Sequence, residues 1–327
     1  MERICHQDFD AQEIAARYPA QLSDRNKQIV FDASSPPGAN HSGTISFSRW
    51  RQMRLPNTVV RHRVHPSFEL RRDFFTYEPS AQGWVVWHLN FAHHDLFRFY
   101  GGPLLAQDEM QVAEHPALAS LRHAILDAGL DPLTVEHGEP TPALIMGVER
   151  RCRIATDANP SEGRLGGLYG NNFSRADEDT IIRATEVIDP ATISNILAME
   201  APGYGSGRYT KEQIELVLST ALTGFSAAIV ESKDRVSPNV KTSIHTGFWG
   251  CGAYGGNRQL MAFLQMIAAC ETEVNTLVFH SGPDSSGYEK ALALLEELLP
   301  VGQEMSLYEL LSQIETMGFE WGVSDGT

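Results

Sequence analysis

Several common protein classes are excluded by what this 327-residue sequence lacks. Its four cysteines, Cys5, Cys152, Cys251 and Cys270, are scattered and form no C-x-x-C pair. That rules out a cysteine zinc site and the dense disulfide framework of a small secreted domain. Basic side chains number 26 against 41 acidic ones, giving a formal net charge of −15. Sequence-independent grip on a nucleic-acid backbone needs clustered Lys and Arg to release counterions, so no direct nucleic-acid binding is expected. No apolar run approaches the roughly 20 residues that span a bilayer, so no membrane partner is expected. The N-terminus, with Glu2, Arg3, Asp8 and Asp10, lacks the apolar core of a signal peptide. A soluble, cytoplasmic protein with reduced cysteines is the expectation.

What is present is ordinary in bulk and specific in detail. Hydrophobic residues make up 42% and charged residues 20%, and the length allows one elaborated domain or two modest ones. The first eighty residues are the least regular. They hold an amphipathic opening segment, a Ser/Pro/Gly/Asn-rich loop over 34–42, and an arginine cluster from Arg49 to Arg72. Phe68, Leu70, Phe74 and Phe75 are interleaved with those arginines, which marks the face of a packed extension over residues 1–80. From Gly83 the pattern changes. Residues 84–91, WVVWHLNF, read as a strand buried on both faces. Further apolar runs follow at 143–148, 186–188, 226–230, 242–245 and 276–279. Helical patterns lie between them. Leu118, Leu121 and Ile125 share one face, Thr210 with Gln213 forms a capping box, and Leu260, Phe263, Leu264 and Ile267 line another helix. A helix from Ser285 to Leu299 stops at Pro300, and Ser306 with Glu309 caps a last one. The alternation predicts an α/β fold with a largely parallel sheet, its ligands bound outside the carboxyl ends of the strands.

One loop at such an end stands out. Residues 246–257, TGFWGCGAYGGN, follow the strand ending near His245 and open the Leu260 helix. Five glycines lie within ten residues there, although each gives up more conformational freedom on folding than any other residue type. Such a loop lets backbone N–H groups approach a ligand closely, and a following helix N-terminus favours phosphate oxygens. An acidic protein can hold a diphosphate this way without a lysine. A tight structural turn is the alternative. Neither the G-x-x-x-x-G-K-[ST] loop nor the early Rossmann G-x-G-x-x-G is present. Cys251, flanked by glycines and without a basic neighbour in the loop, reads as a small filler.

A second cluster is Gln107-Asp108-Glu109, at a loop-to-helix junction after the strand that ends in Asn90-Phe91-Ala92-His93-His94-Asp95. Adjacent carboxylates there suit the first turn of a helix. A buried carboxyl with a raised pKa also suits general acid chemistry on a glycosidic leaving group. A rival reading gathers His88, His93, His94, Asp95 and Asp108 around a divalent ion. Neighbouring strand residues point to opposite sides, however, and no helical H-x-x-x-H pair exists.

Together these segments resemble the poly(ADP-ribose) glycohydrolase (PARG) family over roughly residues 84 to 300. Residues 246–256, TGFWGCGAYGG, are similar to the family's T-G-x-W-G-C-G-A-F-G-G loop, which wraps the diphosphate of ADP-ribose. The resemblance therefore implies ligand contacts at Gly250, Cys251, Gly252, Ala253 and Tyr254. Tyr254 stands where the family has a phenylalanine packing on the ribose. Gln107-Asp108-Glu109-Met110 resembles Q-E-E-I, whose second glutamate is catalytic; that position is Glu109, with Asp108 beside it. Asn90-Phe91-Ala92-His93 resembles D-F-A-N, which implies substrate contacts at Asn90, His93 and Gln107. Tyr169, in GGLYG, matches a tyrosine-bearing loop that closes over the ligand, or is simply an exposed tyrosine.

The resemblance implies a macrodomain-like α/β/α sandwich with a mixed, largely parallel sheet over residues 81–327, carrying the N-terminal extension. It implies no cofactor and no metal. The departures fall on one side. Counted back from Gln107, the family's G-G-G lands on Phe97-Arg98-Phe99, and the asparagine after F-A has become His93. The expectation is an ADP-ribosyl hydrolase that releases single ADP-ribose units from modified protein, arginine being one candidate side chain. A non-catalytic ADP-ribose reader and a polymer-cleaving glycohydrolase are the alternatives.

Overall fold

The computed structural model describes residues 1–62 and 66–326; residues 63–65 of the arginine-rich stretch and residue 327 lie outside the described residues. The strands are β1 (Arg3–Asp10), β2 (Thr44–Trp50), β3 (Thr58–Val60), β4 (Ser67–Arg71), β5 (Trp84–Phe91), β6 (Val135–Glu136), β7 (Glu139–Pro140), β8 (Ala143–Ile154), β9 (Thr185–Met199), β10 (Lys241–Gly247), β11 (Thr276–His280) and β12 (Glu304–Ser306). The α-helices are α1 (Ala11–Arg17), α2 (Arg25–Ser34), α3 (Gln107–Glu114), α4 (Ala117–Asp127), α5 (Glu178–Ala184), α6 (Lys211–Arg235), α7 (Arg258–Cys270), α8 (Ser286–Leu298) and α9 (Leu307–Thr316).

Eight strands form one sheet in the order β1-β2-β8-β9-β5-β10-β11-β4. Pairing is antiparallel from β1 to β9 and parallel from β9 to β4. The sheet is therefore mixed, with its parallel half where the βα alternation is regular. Strand β5 lies in the middle and is apolar on one face through Val85, Trp87 and Leu89, which join the core under α6 to α9. Its other face carries His88 and Asn90, both buried. A second core, with Ile45, Phe47, Val112, Leu118, Leu121 and Ile196, fills the space beneath the helices of the first half of the chain. Burial on both faces explains why residues 84–91 read as one continuous apolar run.

Three features differ from the sequence reading. Residues 1–80 are not an appendage on the sheet: they supply β1, β2 and β4, including both edge strands. Irregular spacing and interleaved arginines hid the edge strands β1 and β4, which tolerate charge on the side that faces water, and the internal β2 was hidden by its buried Ser46, Ser48 and Arg49. The apolar run at 226–230 belongs to α6, not to a strand. A short apolar run carries no period of its own, and the helix begun by the Thr210–Gln213 capping box continues through it. That same helix is long and apolar enough to cross a membrane, yet most of its apolar stretch is buried inside the fold. Its hydroxyls are satisfied within it: Thr223 and Ser232 donate to the carbonyls four residues back, and Ser232 accepts from the Trp87 indole at 2.9 Å. Ser306 does precede α9, but its side chain makes no cap bond, since the residue also ends β12 against β3.

The parallel strands β9, β5 and β10 are neighbours, so their carboxyl ends at Met199, Phe91 and Gly247 gather at one rim. The segments that follow them, 92–106, 200–210 and 248–257, share that rim. If residues 1–80 are integral, a chain beginning at residue 81 loses β1, β2, β4 and the buried Ile45, Phe47 and Trp50. The expected outcome is no cooperative unfolding transition by circular dichroism; a transition close to that of the full chain would restore the picture of an appended extension.

Candidate active site

At this rim lies a cavity of about 350 Å³. One wall comes from the β5–α3 connection: Phe91, Ala92, His93, Phe99, Leu104, Ala106, Gln107, Asp108 and Glu109. The opposite wall comes from Gly250, Gly252, Ala253 and Tyr254 of the glycine-rich loop, with Ala201 and Tyr204 beside it and Tyr169 at the mouth. Nine of the eleven residues singled out from the sequence therefore face one space. The other two, Asn90 and Cys251, do not line it.

Each wall is built by a specific local device. The glycine-rich loop is anchored by Trp249, fully buried, whose indole donates to the Met199 carbonyl at 2.9 Å. The N–H groups of Trp249, Cys251, Gly255 and Gly256 are spent on carbonyls within the loop. Those of Gly250, Gly252, Ala253 and Tyr254 make no backbone hydrogen bond among the described residues, and these are the loop residues that line the cavity. Successive unspent N–H groups in a turn form an anion-binding concavity. Gly250 cannot be replaced cheaply: its φ is +74° and an added Cβ would lie 2.5 Å from the Ala201 methyl. Asn257 caps α7, accepting from the Leu260 N–H at 3.1 Å. Cys251 turns to the core, where burial pushes its thiol up to about 12. It is a filler of the loop's inner side.

On the other wall Gln107 docks the first turn of α3 onto the end of β5. Its amide oxygen accepts from the Phe91 N–H at 2.7 Å and its amide nitrogen donates to the Leu89 carbonyl at 3.0 Å. Glu109 reaches back to accept from the Ala106 N–H at 3.1 Å, one half of a capping box whose other half an alanine cannot make. Asp108 and Glu109 are 7% and 5% exposed, so two adjacent carboxyls are largely stripped of water. Burial, then the Glu109 charge, holds the Asp108 carboxyl well above the usual carboxylate range. Burial raises Glu109 as well, against the opposing charge of Lys27. Asn90 lies behind the wall, donating to Asp108 at 3.1 Å and to Gln111 at 2.8 Å, and Gln111 is held in turn by the Tyr77 hydroxyl. Its role is support of the carboxyl, not contact with the cavity.

His93 faces the cavity with its Nδ1 accepting from the Asp95 N–H at 3.2 Å and its ring edge-on to Phe99. Burial and the neighbouring His94 lower its pKa. The rival metal constellation is not assembled. His88 is buried between Tyr77 and His245, Asp95 is bound to Arg122, and no group of three His, Cys, Asp or Glu side chains is arranged for a metal among the described residues.

Residues missed by sequence reasoning complete the site. Tyr204 packs 5.0 Å from Tyr254, and Phe99 is 53% exposed at the wall. Asp325 lies over the glycine-rich loop, its N–H toward the Gly252 carbonyl at 3.4 Å, and a Cβ on Gly252 would meet its carboxylate at 3.1 Å. Lys27, fully buried on α2, was legible as a lysine in register with Val30, Phe31 and Ser34 on an inward face.

The Asp108 carboxyl gives a testable pH dependence. The folded protein keeps a proton that the unfolded chain has released. The stability from this group is therefore full below about pH 4, the unfolded value, and is lost as pH rises through about 7. Asp108→Asn keeps an acceptor for Asn90 without the charge. Its denaturation midpoint should match that of the wild-type protein near pH 4 and exceed it above neutrality; parallel pH profiles would show that Asp108 is not held protonated.

Residues 167–287 match the family model described as poly(ADP-ribose) glycohydrolase (PARG), macro domain fold. The span includes Tyr169 and the whole glycine-rich loop but not Gln107, Asp108 and Glu109. Among solved structures, the PARG of Thermomonospora curvata bound to the inhibitor ADP-HPD is 13% identical, covering 90% of this chain and 85% of that one, with a TM-score of 0.43. The PARG of Deinococcus radiodurans in complex with ADP-ribose is 10% identical, covering 90% and 94%, with a TM-score of 0.39. The Oceanobacillus iheyensis macrodomain with ADP is 13% identical, covering 77% and 98%, with a TM-score of 0.40. Likeness this distant decides nothing about chemistry. The chain is thus similar to that family over residues 167–287, and its mixed, largely parallel sheet is in keeping with the macro domain fold described for that match.

Proposed function

We propose that this protein binds ADP-ribose and hydrolyses its glycosidic bond to a modified protein, acting on single ADP-ribosyl units. The observation that carries the reading is the facing of two walls across one cavity: the N–H groups of Gly250, Gly252, Ala253 and Tyr254, which make no backbone hydrogen bond among the described residues, on one side, and the buried Asp108–Glu109 pair on the other. The cavity's size falls within the range of about 300–1,000 Å³ typical of small-ligand sites. The diphosphate lies on the glycine-rich loop, and the distal ribose, packed against Tyr254, lies near His93, Asp108 and Glu109.

In this arrangement the bond from the anomeric carbon to the leaving group breaks as positive charge spreads over the ribose ring. The electron pair departs with the leaving group, which takes a proton, and water adds to the anomeric carbon and gives one up. Glu109 is the group that delivers the proton or fixes the water, and two buried carboxyls whose mutual repulsion favours retention of one proton suit either task. Asp108 orients the ribose, or steadies a departing guanidinium where arginine is the modified residue. Phe99 favours single units over polymer. It occupies the position to which the resemblance assigns glycine, and its ring narrows the wall beside His93. The four cysteines are free thiols, in keeping with a cytoplasmic site of action.

Two measurements test the proposal. Glu109→Gln should lower hydrolysis of ADP-ribosylated protein by about 100-fold or more while calorimetric affinity for ADP-ribose changes little. Normal turnover would remove Glu109 from the mechanism, binding without turnover by the wild-type protein would make it a reader, and release of ADP-ribose from long polymer would favour the polymer-cleaving alternative. A substrate panel modified at arginine, serine or glutamate then assigns the linkage. The Asp325 carboxylate must yield to an incoming diphosphate, so Asp325→Asn should bind ADP-ribose more tightly, most clearly at low salt; weaker binding would make Asp325 a ligand contact.

A further inference from the structure

The first eighty residues do more than complete the sheet. Their 21–27 segment grips the loop that precedes α3. The Ser23 and Asp24 N–H groups donate to the Gly101 carbonyl at 2.9 and 3.2 Å, and the Ser23 hydroxyl donates to it at 3.0 Å. The Gln21 N–H donates to the Tyr100 hydroxyl at 2.7 Å. The contact is so close that a Cβ on Gly101 would lie 2.2 Å from the Gln21 carbonyl oxygen. This is the loop that brings Phe99 to the cavity, and its first residue, Phe97, is fully buried with a φ of +57°. A left-handed conformation in a non-glycine residue persists only where the surroundings hold it. The same segment reaches the loop on the far side of the mouth, since the Asn26 amide donates to the carbonyls of Phe173 and Ala176 at 2.7 and 3.0 Å. A bridge between Leu105 and Gly170 ties the two loops together beside Tyr169.

Lys27 sits at the centre of this grip. Its side chain is fully buried, and its ammonium donates to the Tyr100 carbonyl at 2.9 Å. An ammonium taken out of water needs compensating negative charge. The carboxylates that act on it are Glu109, then Asp24, then Asp108. Asp24 is spent as the cap of α2, accepting from the Lys27 N–H at 2.9 Å. The other two are the acid pair of α3, the helix against which α2 packs. The remaining charged and titratable groups around the pair are Arg122 from α4, which acts on Asp108, and Tyr169 and Tyr254 from the two loops. His123 lies one step removed, on the Tyr100 hydroxyl.

We propose that Lys27 is a positioning residue for the hydrolysis. Held on the Tyr100 carbonyl, it fixes the 97–102 loop and, from the α2 side, places a buried positive charge behind the Asp108–Glu109 pair, as Arg122 does from α4. The proposal rests on the reading of that pair as the reacting end of the site. Burial lowers the Lys27 ammonium to about 8, with Glu109 the largest opposing influence, so it remains mostly charged at neutral pH.

The test is Lys27→Met, which fills the same volume without charge, with thermal denaturation to verify folding. The pH–rate profile of hydrolysis should move as a whole to higher pH by about one unit or more, because an opposite charge nearby favours ionised carboxyls. ADP-ribose affinity, set on the opposite wall, should stay within a few-fold. A fall in turnover with both limbs of the profile unmoved would reduce Lys27 to a packing residue and overturn the proposal. Carbon-13 NMR titration of the Asp108 carboxyl in the wild-type, Lys27→Met and Lys27→Gln proteins gives a second readout independent of turnover. An upward move on loss of the charge supports the proposal, and unchanged titration overturns it. If the wild-type protein neither binds nor hydrolyses ADP-ribosylated substrate, the functional reading fails while this titration still decides the role of Lys27.

Discussion

The arrangement at the rim depends first on Gln107. A helix beginning after a loop can sit at many angles to the strand before it, and the two bonds from one side-chain amide to Leu89 and Phe91 remove most of that freedom. They continue the strand's own hydrogen-bonding pattern with a side chain in place of a neighbouring backbone. Because Gln107 is the first residue of α3, Asp108 and Glu109 inherit their placement within a single turn. Bringing both carboxyls out of water is unfavourable, and the surrounding groups offset the cost: the Ala106 N–H for Glu109, the Asn90 amide for Asp108, and the buried Lys27 for both.

The two walls solve opposite electrostatic problems. The glycine-rich loop must attract negative charge in a protein of net charge −15, and it does so with backbone dipoles, which need no basic side chain and no titratable group. The α3 wall must hold negative charge poised and incompletely ionised, and it does so by desolvation. An anion spanning both walls thus meets fixed partial positive charge at one end and protonatable oxygen at the other. For the proposed ADP-ribosyl ligand, that polarity sets the diphosphate at one end of the cavity and the reacting carbon at the other.

Legibility in the sequence followed the same division. The glycine-rich loop was readable because its chemistry is written in consecutive residues: glycines where φ is positive or a Cβ would collide, and Trp249 as the anchor. The central strand was readable because residues 84–91 are buried on both faces. Asn90 and Cys251 show what a motif leaves open. Adjacency in a motif does not fix which way a side chain turns, and Asn90 faces the back of Asp108 while Cys251 faces the core. The edge strands β1 and β4 were hidden because edges keep polar residues, and β2 because it buries Ser46, Ser48 and Arg49. The grip of residues 21–27 on residues 100 and 101 was hidden because it consists almost wholly of backbone groups. Lys27 was hidden for a related reason, since a lysine reads as exposed until its register with Val30 and Phe31 is considered.

The 97–99 stretch holds a backbone conformation that its residue type disfavours. Phe97 keeps a left-handed backbone that glycine adopts freely, and a phenylalanine there is strained. The ring is fully buried in the second core, so hydrophobic burial opposes the backbone strain and pins the loop from beneath. With Phe97 inward and Phe99 outward, the loop is rigid and presents an aromatic edge to His93 instead of open backbone. A wall of packed side chains thus faces a cradle of backbone N–H groups across one cavity.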